Sequence, residues 1–184
     1  MKRLFLSACL AFAGCGEAPR DGGDAGTLGD AGMQAGLTPY QQSAVDAHNV
    51  ERANAMPAPS PALPLVSWSA SAASLAEDWA RRCVFEHRDP SDLGENLHAS
   101  SREPTITEVI QGWAAEKSDY TYTTNTCRVG KQCGHYTQVV WRSSVGIGCA
   151  TQRCTTGSPF GSGTWFLVVC NYDPPGNFIG QKPY

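Results

Sequence analysis

The sequence predicts an α+β sandwich in which helices cover a small antiparallel sheet, and three observations lead to that fold class. Between residues 38 and 116 apolar side chains recur at helical spacing. From residue 134 onward the pattern changes to strand-like runs joined by a turn-rich connection. Six cysteines, Cys83, Cys127, Cys133, Cys149, Cys154 and Cys170, run through both halves and would staple them together. Helices first and strands later, with antiparallel links, is the order of an α+β domain.

Ahead of that domain the chain begins MKRLFLSACLAFAGCGEAP, with a basic start at Lys2 and Arg3, an apolar run from Leu4 to Ala13, and small residues before Cys15. This is the pattern of a secretory signal. Its apolar run is about half the length needed to span a bilayer, so no transmembrane helix is expected. Phe12-Ala13-Gly14-Cys15 resembles a bacterial lipoprotein processing box, in which Cys15 becomes the lipidated first residue of the mature chain. The expected location is therefore secreted or cell-surface, as an outer-membrane lipoprotein whose N-terminal lipid anchor is its one attachment to a membrane. Residues 16–37, rich in Gly, Ala and Asp, read as a flexible tether, and residues 38–184 as one monomeric domain.

Of the eight cysteines, Cys9 leaves with the signal and Cys15 is taken by lipid. The remaining even set in an exported chain reads as three disulfides, with the pairing left open. A zinc-cysteine cluster is disfavoured because no CxxC pair occurs. The formal net charge of −3, with no basic stripe, excludes a nucleic-acid surface.

Within the domain, Thr38-Pro39 caps a first helix over Tyr40 to Asn54. The segment MPAPSPALPL is too rich in proline for helix or central strand and reads as a connecting loop. Ala72, Leu75, Ala76, Trp79, Ala80 and Cys83 define a second amphipathic helix that carries Cys83 to the core side. Thr105 and Glu108 form a capping box for a third helix with the stripe Ile106, Val109, Ile110 and Trp113. Glu116, three residues beyond Trp113, projects from the buried side of that helix, where a carboxylate needs a partner or a cavity; if the helix ends first, it simply meets water. HYTQVVW, GIGCAT and WFLVVCNY then read as strands, with TTGSPFGSG as a hairpin connection.

Four segments in order carry a family resemblance: Ala47-His48-Asn49-Val50-Glu51-Arg52, Gly94-Glu95-Asn96-Leu97, Gly134-His135-Tyr136-Thr137-Gln138-Val139-Val140-Trp141, and Cys170-Asn171-Tyr172-Asp173-Pro174-Pro175-Gly176-Asn177. From about Thr38 to Tyr184 the chain resembles the CAP superfamily of cysteine-rich secretory, antigen 5 and pathogenesis-related class 1 proteins, and the plant pathogenesis-related branch most of all. The resemblance implies an α-β-α sandwich and the disulfides Cys83–Cys154, Cys127–Cys133 and Cys149–Cys170. It also implies a central cavity with two histidines and two glutamates. The matching positions here are His87, Glu95, Glu116 and His135, whereas His48 is expected to pack in its helix and His98 to sit on a loop.

Two neutral imidazoles suit Zn²⁺ or another divalent metal ion, and carboxylates can complete or orient the shell. No HExxH or GxSxG motif accompanies them, so catalysis is not implied. The same four groups, paired with one another, would equally form a satisfied structural network. The expected function is a non-catalytic extracellular binding module for a small apolar ligand, a sterol or fatty acid, with Trp113, Tyr120 and Tyr122 near its entrance and a role in defence or antagonism. The alternative is a divalent-metal-dependent hydrolase of peptides or esters. Pro174 to Tyr184 is similar to a tail that plant members release, although a final turn packed beside Cys170 is the favoured reading.

Overall fold

The structure, a computed structural model, describes residues 36–184. The signal segment, Cys9, the lipidation candidate Cys15 and residues 16–35 of the tether lie outside the described residues. Leu37, assigned to the tether by composition, packs against the core. Helix α1 (Pro39–Ala53) opens with a reciprocal capping box between Thr38 and Gln41. After the proline-rich loop come β1 (Ser67–Trp68), α2 (Ala70–Ala80), β2 (Gly94–Ser100) and α3 (Ile106–Ala115), the last capped by Thr105 and Glu108 as its sequence predicts. A single 3₁₀ turn over Glu116–Asp119 leads to a hairpin, β3 (Tyr120–Thr121) and β4 (Thr126–Cys127). The short helix α4 (Gly134–Val139) and the long strands β5 (Gly146–Cys154) and β6 (Trp165–Asp173) complete the domain.

The main sheet has the order β1-β5-β6-β2. Its body is antiparallel, and the departure from a purely antiparallel sheet is the edge pair β1–β5, which is parallel over two residues. Strands also appear earlier than expected, because β1 and β2 precede α3. Three layers result. One face of the sheet, through Ile147, Cys149, Val168, Cys170 and Tyr172, packs on α1, α3 and α4. The other, through Ala150, Leu167 and Val169, packs on α2. Gly148 permits that second contact, since a Cβ there would run into the backbone of Ala72 and Ala73.

The three disulfides pair Cys83 with Cys154, Cys127 with Cys133, and Cys149 with Cys170. Cys149 and Cys170 face each other directly in the β5–β6 register. Cys83 is not on the helix that its spacing predicts: α2 ends at Ala80, and Cys83 follows with a positive φ of 54°. His98 is not on a loop but on β2, opposite Val168.

The largest correction concerns HYTQVVW. Residues 134–139 are helical, although Tyr, Thr and Val all favour strands. A helix of six residues is too short to stand alone, so its support comes from tertiary contacts. At its C-terminal end the buried Arg52 donates from Nη1 to the carbonyls of Val139 (3.0 Å) and Trp141 (2.8 Å), and from Nε to Pro64 (2.9 Å). Burial lowers the guanidinium pKa to about 10, still charged at neutral pH. A cation on the last carbonyls of a helix opposes the negative end of its dipole. The chain end is also docked: the Arg142 amide donates to the Pro183 carbonyl (2.7 Å), and the Tyr122 hydroxyl donates to the Tyr184 carbonyl.

His48 sits fully buried in α1, with Nδ1 donating to the Ala44 carbonyl (2.8 Å) and Nε2 accepting from the Tyr172 hydroxyl (3.0 Å). Burial lowers its pKa from 6.5 to about 4. Below 6.5 the unfolded chain therefore takes up a proton that the folded chain refuses, so stability falls with pH across that window. The expected loss between pH 6.5 and 4 is about 3 kcal/mol from this one group. Urea unfolding at a series of pH values will show it as a slope that a His48→Gln variant, less stable at pH 7, lacks.

Candidate functional site

His135 is the second residue of α4, and Glu116 is the residue at which α3 ends. The Glu116 carboxylate reaches across to the start of α4. Its Oε2 accepts the backbone N–H groups of His135 (3.0 Å) and Tyr136 (3.1 Å), while Oε1 accepts from His135 Nδ1 (2.6 Å). Glu116 thus does what a local N-cap side chain does for other helices, and Cys133, the residue in the N-cap position, offers no side-chain bond. Trp113, one turn earlier in α3, stacks on the imidazole at 5.8 Å between ring centroids and 18° between planes. These contacts leave the His135 ring one orientation.

His87 and Glu95 form the second pair. Glu95 lies on β2, with its side chain 6 % exposed, and its Oε1 accepts from His87 Nδ1 (2.8 Å) and from the Arg88 backbone N–H (3.1 Å). His87 comes from the irregular segment after α2 and is 65 % exposed. The hydrogen bond to Glu95 raises the His87 pKa above its usual value, with burial acting in the opposite direction. Glu95 Oε2 is buried and has no hydrogen-bond partner among the described residues.

A cleft of about 250 Å³ brings the pairs together, lined by His87, Glu95 and His135 with Asn96, Gln132, Gly134 and Asn177. Three of the four sequence-predicted residues therefore line one cavity. Glu116 stands behind His135 and acts through it. Among the described residues neither imidazole Nε2 has a hydrogen-bond partner, so when the rings are neutral each can present a lone pair. No group of three or more His, Cys, Asp or Glu side chains among the described residues is arranged to hold a metal ion.

Asn96 had no role assigned from sequence. Its Nδ2 donates to the His135 carbonyl (3.1 Å) and to the Tyr172 hydroxyl (3.1 Å), which joins the cleft to buried His48. Asn177 donates to the Gly134 carbonyl (2.8 Å) and accepts from the Thr137 hydroxyl (2.7 Å), holding the far wall. Both residues lie inside the quoted motifs, while Gln132 carried no sequence signal at all.

A profile of the cysteine-rich secretory protein family, CAP, matches residues 45–172. The chain belongs to the CAP family. It is similar to the pathogenesis-related protein PR-1 type of Sambucus nigra, at 45 % identity over 148 residues covering 78 % of this chain and 81 % of the relative. It is also similar to pathogenesis-related protein 1B of Nicotiana tabacum, at 40 % identity over 149 residues covering 78 % and 80 %. Among solved structures, the venom allergen-like protein 4 of Schistosoma mansoni superposes with a TM-score of 0.65 at 26 % identity, covering 80 % of this chain and 95 % of that one. The CAP sandwich and the plant pathogenesis-related branch are thereby both supported by relatives.

In this CAP domain Trp113, Tyr120 and Tyr122 are engaged internally. Trp113 is buried against His135, Tyr120 packs edge-on against Tyr136, and Tyr122 stacks on Tyr184.

Removing the carboxylate that anchors α4 leaves two backbone donors without their partner. Glu116→Ala is expected to cost about 2–4 kcal/mol in urea unfolding. Glu116→Gln, whose amide oxygen can accept both backbone amides as Oε2 does but whose NH2 replaces the acceptor of His135 Nδ1, should lose about half as much.

Proposed function

We propose that this CAP domain is a non-catalytic extracellular binding module whose cleft holds a divalent ion, Zn²⁺ first among them, on His87 and His135. The observation that carries this reading is the pairing of each Nδ1 with a carboxylate, at 2.8 Å for His87 and 2.6 Å for His135, on rings whose Nε2 atoms have no partner among the described residues. Carboxylate–imidazole pairs fix the tautomer and raise the basicity of a metal-ligating ring. The bound ion would supply an acidic water and a positive charge at the cleft mouth. Glu95 and Glu116 orient the rings, and Asn96 and Asn177 hold the wall around them. A sterol or fatty acid remains the apolar cargo of this proposal. Its place outside the cell agrees with three disulfides, and anchoring through a lipidated Cys15 at an outer membrane is the finer part of the same reading.

Calorimetric titration of zinc into the purified domain tests the ion site. One equivalent should bind, and binding should vanish in the His87→Ala, His135→Ala double variant with its circular dichroism unchanged. Absence of binding in the wild type would leave the cleft a structural network. The raised pKa of His87 sets the pH dependence, since its ring must release a proton to become a ligand. Zinc affinity should therefore start to fall at a pH above 6.5 as the solution is acidified.

The metal-dependent hydrolase stands as a second reading because Glu95 lines the cleft and its Oε2, buried and without a hydrogen-bond partner among the described residues, is the one carboxylate oxygen of the two pairs not already committed. Glu116 has both oxygens committed. Turnover of a peptide or ester panel that is abolished by chelator and by Glu95→Gln would establish it. Inactivity of the zinc-loaded wild type over the panel would remove it.

A further inference from the structure

The main sheet leaves most of one edge open. β1 covers β5 only at Gly146 and Ile147, whereas β5 continues to Cys154 and is paired with β6 along its whole length. On the β1 side the Ser67 N–H donates to the Val145 carbonyl (2.8 Å) and the Ser69 N–H to the Ile147 carbonyl (2.7 Å). There the chain turns into α2. Backbone groups of a strand alternate between its two edges, so the edge that Ile147 shows to Ser69 is shared by Cys149, Thr151 and Arg153. No strand of the described residues pairs with them. The Arg153 carbonyl is the one taken locally, by the Gln152 side-chain amide (2.7 Å).

This edge is recessed. It lies in a cleft of about 1040 Å³ that Trp68 closes at the β1 end. Tyr40 and Phe166 form one wall and Ala80 and Arg81 the other. Cys149 is 3 % exposed and Ala150 8 %, so the strand forms the floor of the cleft at the Trp68 end, while Thr151 and Gln152 are half-buried and Arg153 is exposed towards the other end. At about 3.3 Å per residue, the open stretch from Gly148 to Cys154 is roughly 20 Å long. The Tyr40 side is held in place by the bond between its hydroxyl and Thr151 Oγ1 (3.0 Å). The Arg81 side carries its ion pair with Glu77 (2.8 Å).

We propose that the open edge of β5 is a docking slot for an extended peptide segment of another protein, which joins the sheet in line with β1. The occupant follows from the slot. A row of donors and acceptors at every second residue matches an extended backbone. The intramolecular ladder with β1 already uses the same edge, and the slot continues it. Walls on both sides admit a single strand and keep out the β5 edge of a second copy, which is itself at the bottom of such a cleft. Side chains of the peptide alternate between the aromatic wall and the ionic wall, so the segment recognised has apolar residues at alternate positions with polar residues between them.

Selection from a displayed library of random heptapeptides on the immobilised domain tests the slot. Enriched peptides, made synthetically, should slow amide hydrogen exchange at Cys149, Thr151 and Arg153 and leave Gly148, Ala150 and Gln152 as they were. Thr151→Pro removes a donor on the open edge, together with the hydroxyl that Tyr40 bonds, without touching the β6 ladder. Ser43→Trp fills the cleft from the α1 side and leaves β5 intact. Each should weaken peptide binding tenfold or more, while the His87→Ala, His135→Ala variant binds peptide as the wild type does. Failure to enrich any peptide would overturn the proposal, as would peptides that bind both slot variants with wild-type affinity or leave the three amides unprotected. A dimer seen by sedimentation and abolished by Thr151→Pro would give the edge to a second copy and overturn it as well.

Discussion

A helix of six residues is held between a carboxylate at its start and a guanidinium at its end, and the rest of the site side of the domain depends on that arrangement. Glu116 accepts the first amides of α4, and Arg52 donates to the carbonyl of Val139, its last residue, and to that of Trp141 just beyond it. Each charge meets the helix pole that favours it. Neither comes from the helix itself: Glu116 ends α3, and Arg52 belongs to the last turn of α1. The short helix therefore reports the relative placement of two long ones. Because Arg52 also holds the Pro64 carbonyl, the same side chain ties the proline-rich loop to the fold.

That clamp makes the two halves of the cleft unequal. His135 is fixed by Glu116, by the stack on Trp113 and, through its carbonyl, by Asn96. His87 has the single bond to Glu95 and stands largely in solvent on an irregular segment. One imidazole is preorganised and the other must surrender side-chain freedom to reach a shared ligand. Affinity for an ion across the cleft is consequently limited by His87, whose proton is held by the very carboxylate that orients it.

The parts of the fold that local chemistry controls were legible in the sequence. Thr38-Pro39 and Thr105 with Glu108 name the starts of α1 and α3, and Ile106, Val109, Ile110 and Trp113 name the buried face of α3. WFLVVCNY reads as strand and is one. Local signals fail at α4, where Tyr, Thr and Val argue for a strand and the deciding contacts are about 20 and 90 residues away. They fail again at His98, since β2 is stabilised by its register with β6 and not by an alternating pattern of its own. The cavity residues were legible through family motifs, yet the separate role of Glu116 behind His135 was not, because spacing places a side chain on a face and says nothing of which atoms it meets. Gln132 had neither pattern nor motif.

A buried carboxylate has two ways to exist in such a fold, and the cleft contains one of each. Glu116 spends both oxygens on amides and an imidazole, so its desolvation is offset within the protein, and its removal is a question of stability. Glu95 leaves Oε2 buried and unmatched, at a cost that nothing else in the described domain offsets. An unsatisfied polar atom on a residue that lines a cavity with His87, His135 and Asn96 is a place where a donor or a cation gains more than it would in water. The asymmetry divides the four residues by what they do: Glu116 builds the site, His135 is held by it, and His87 with Glu95 is the half left free to respond to a ligand.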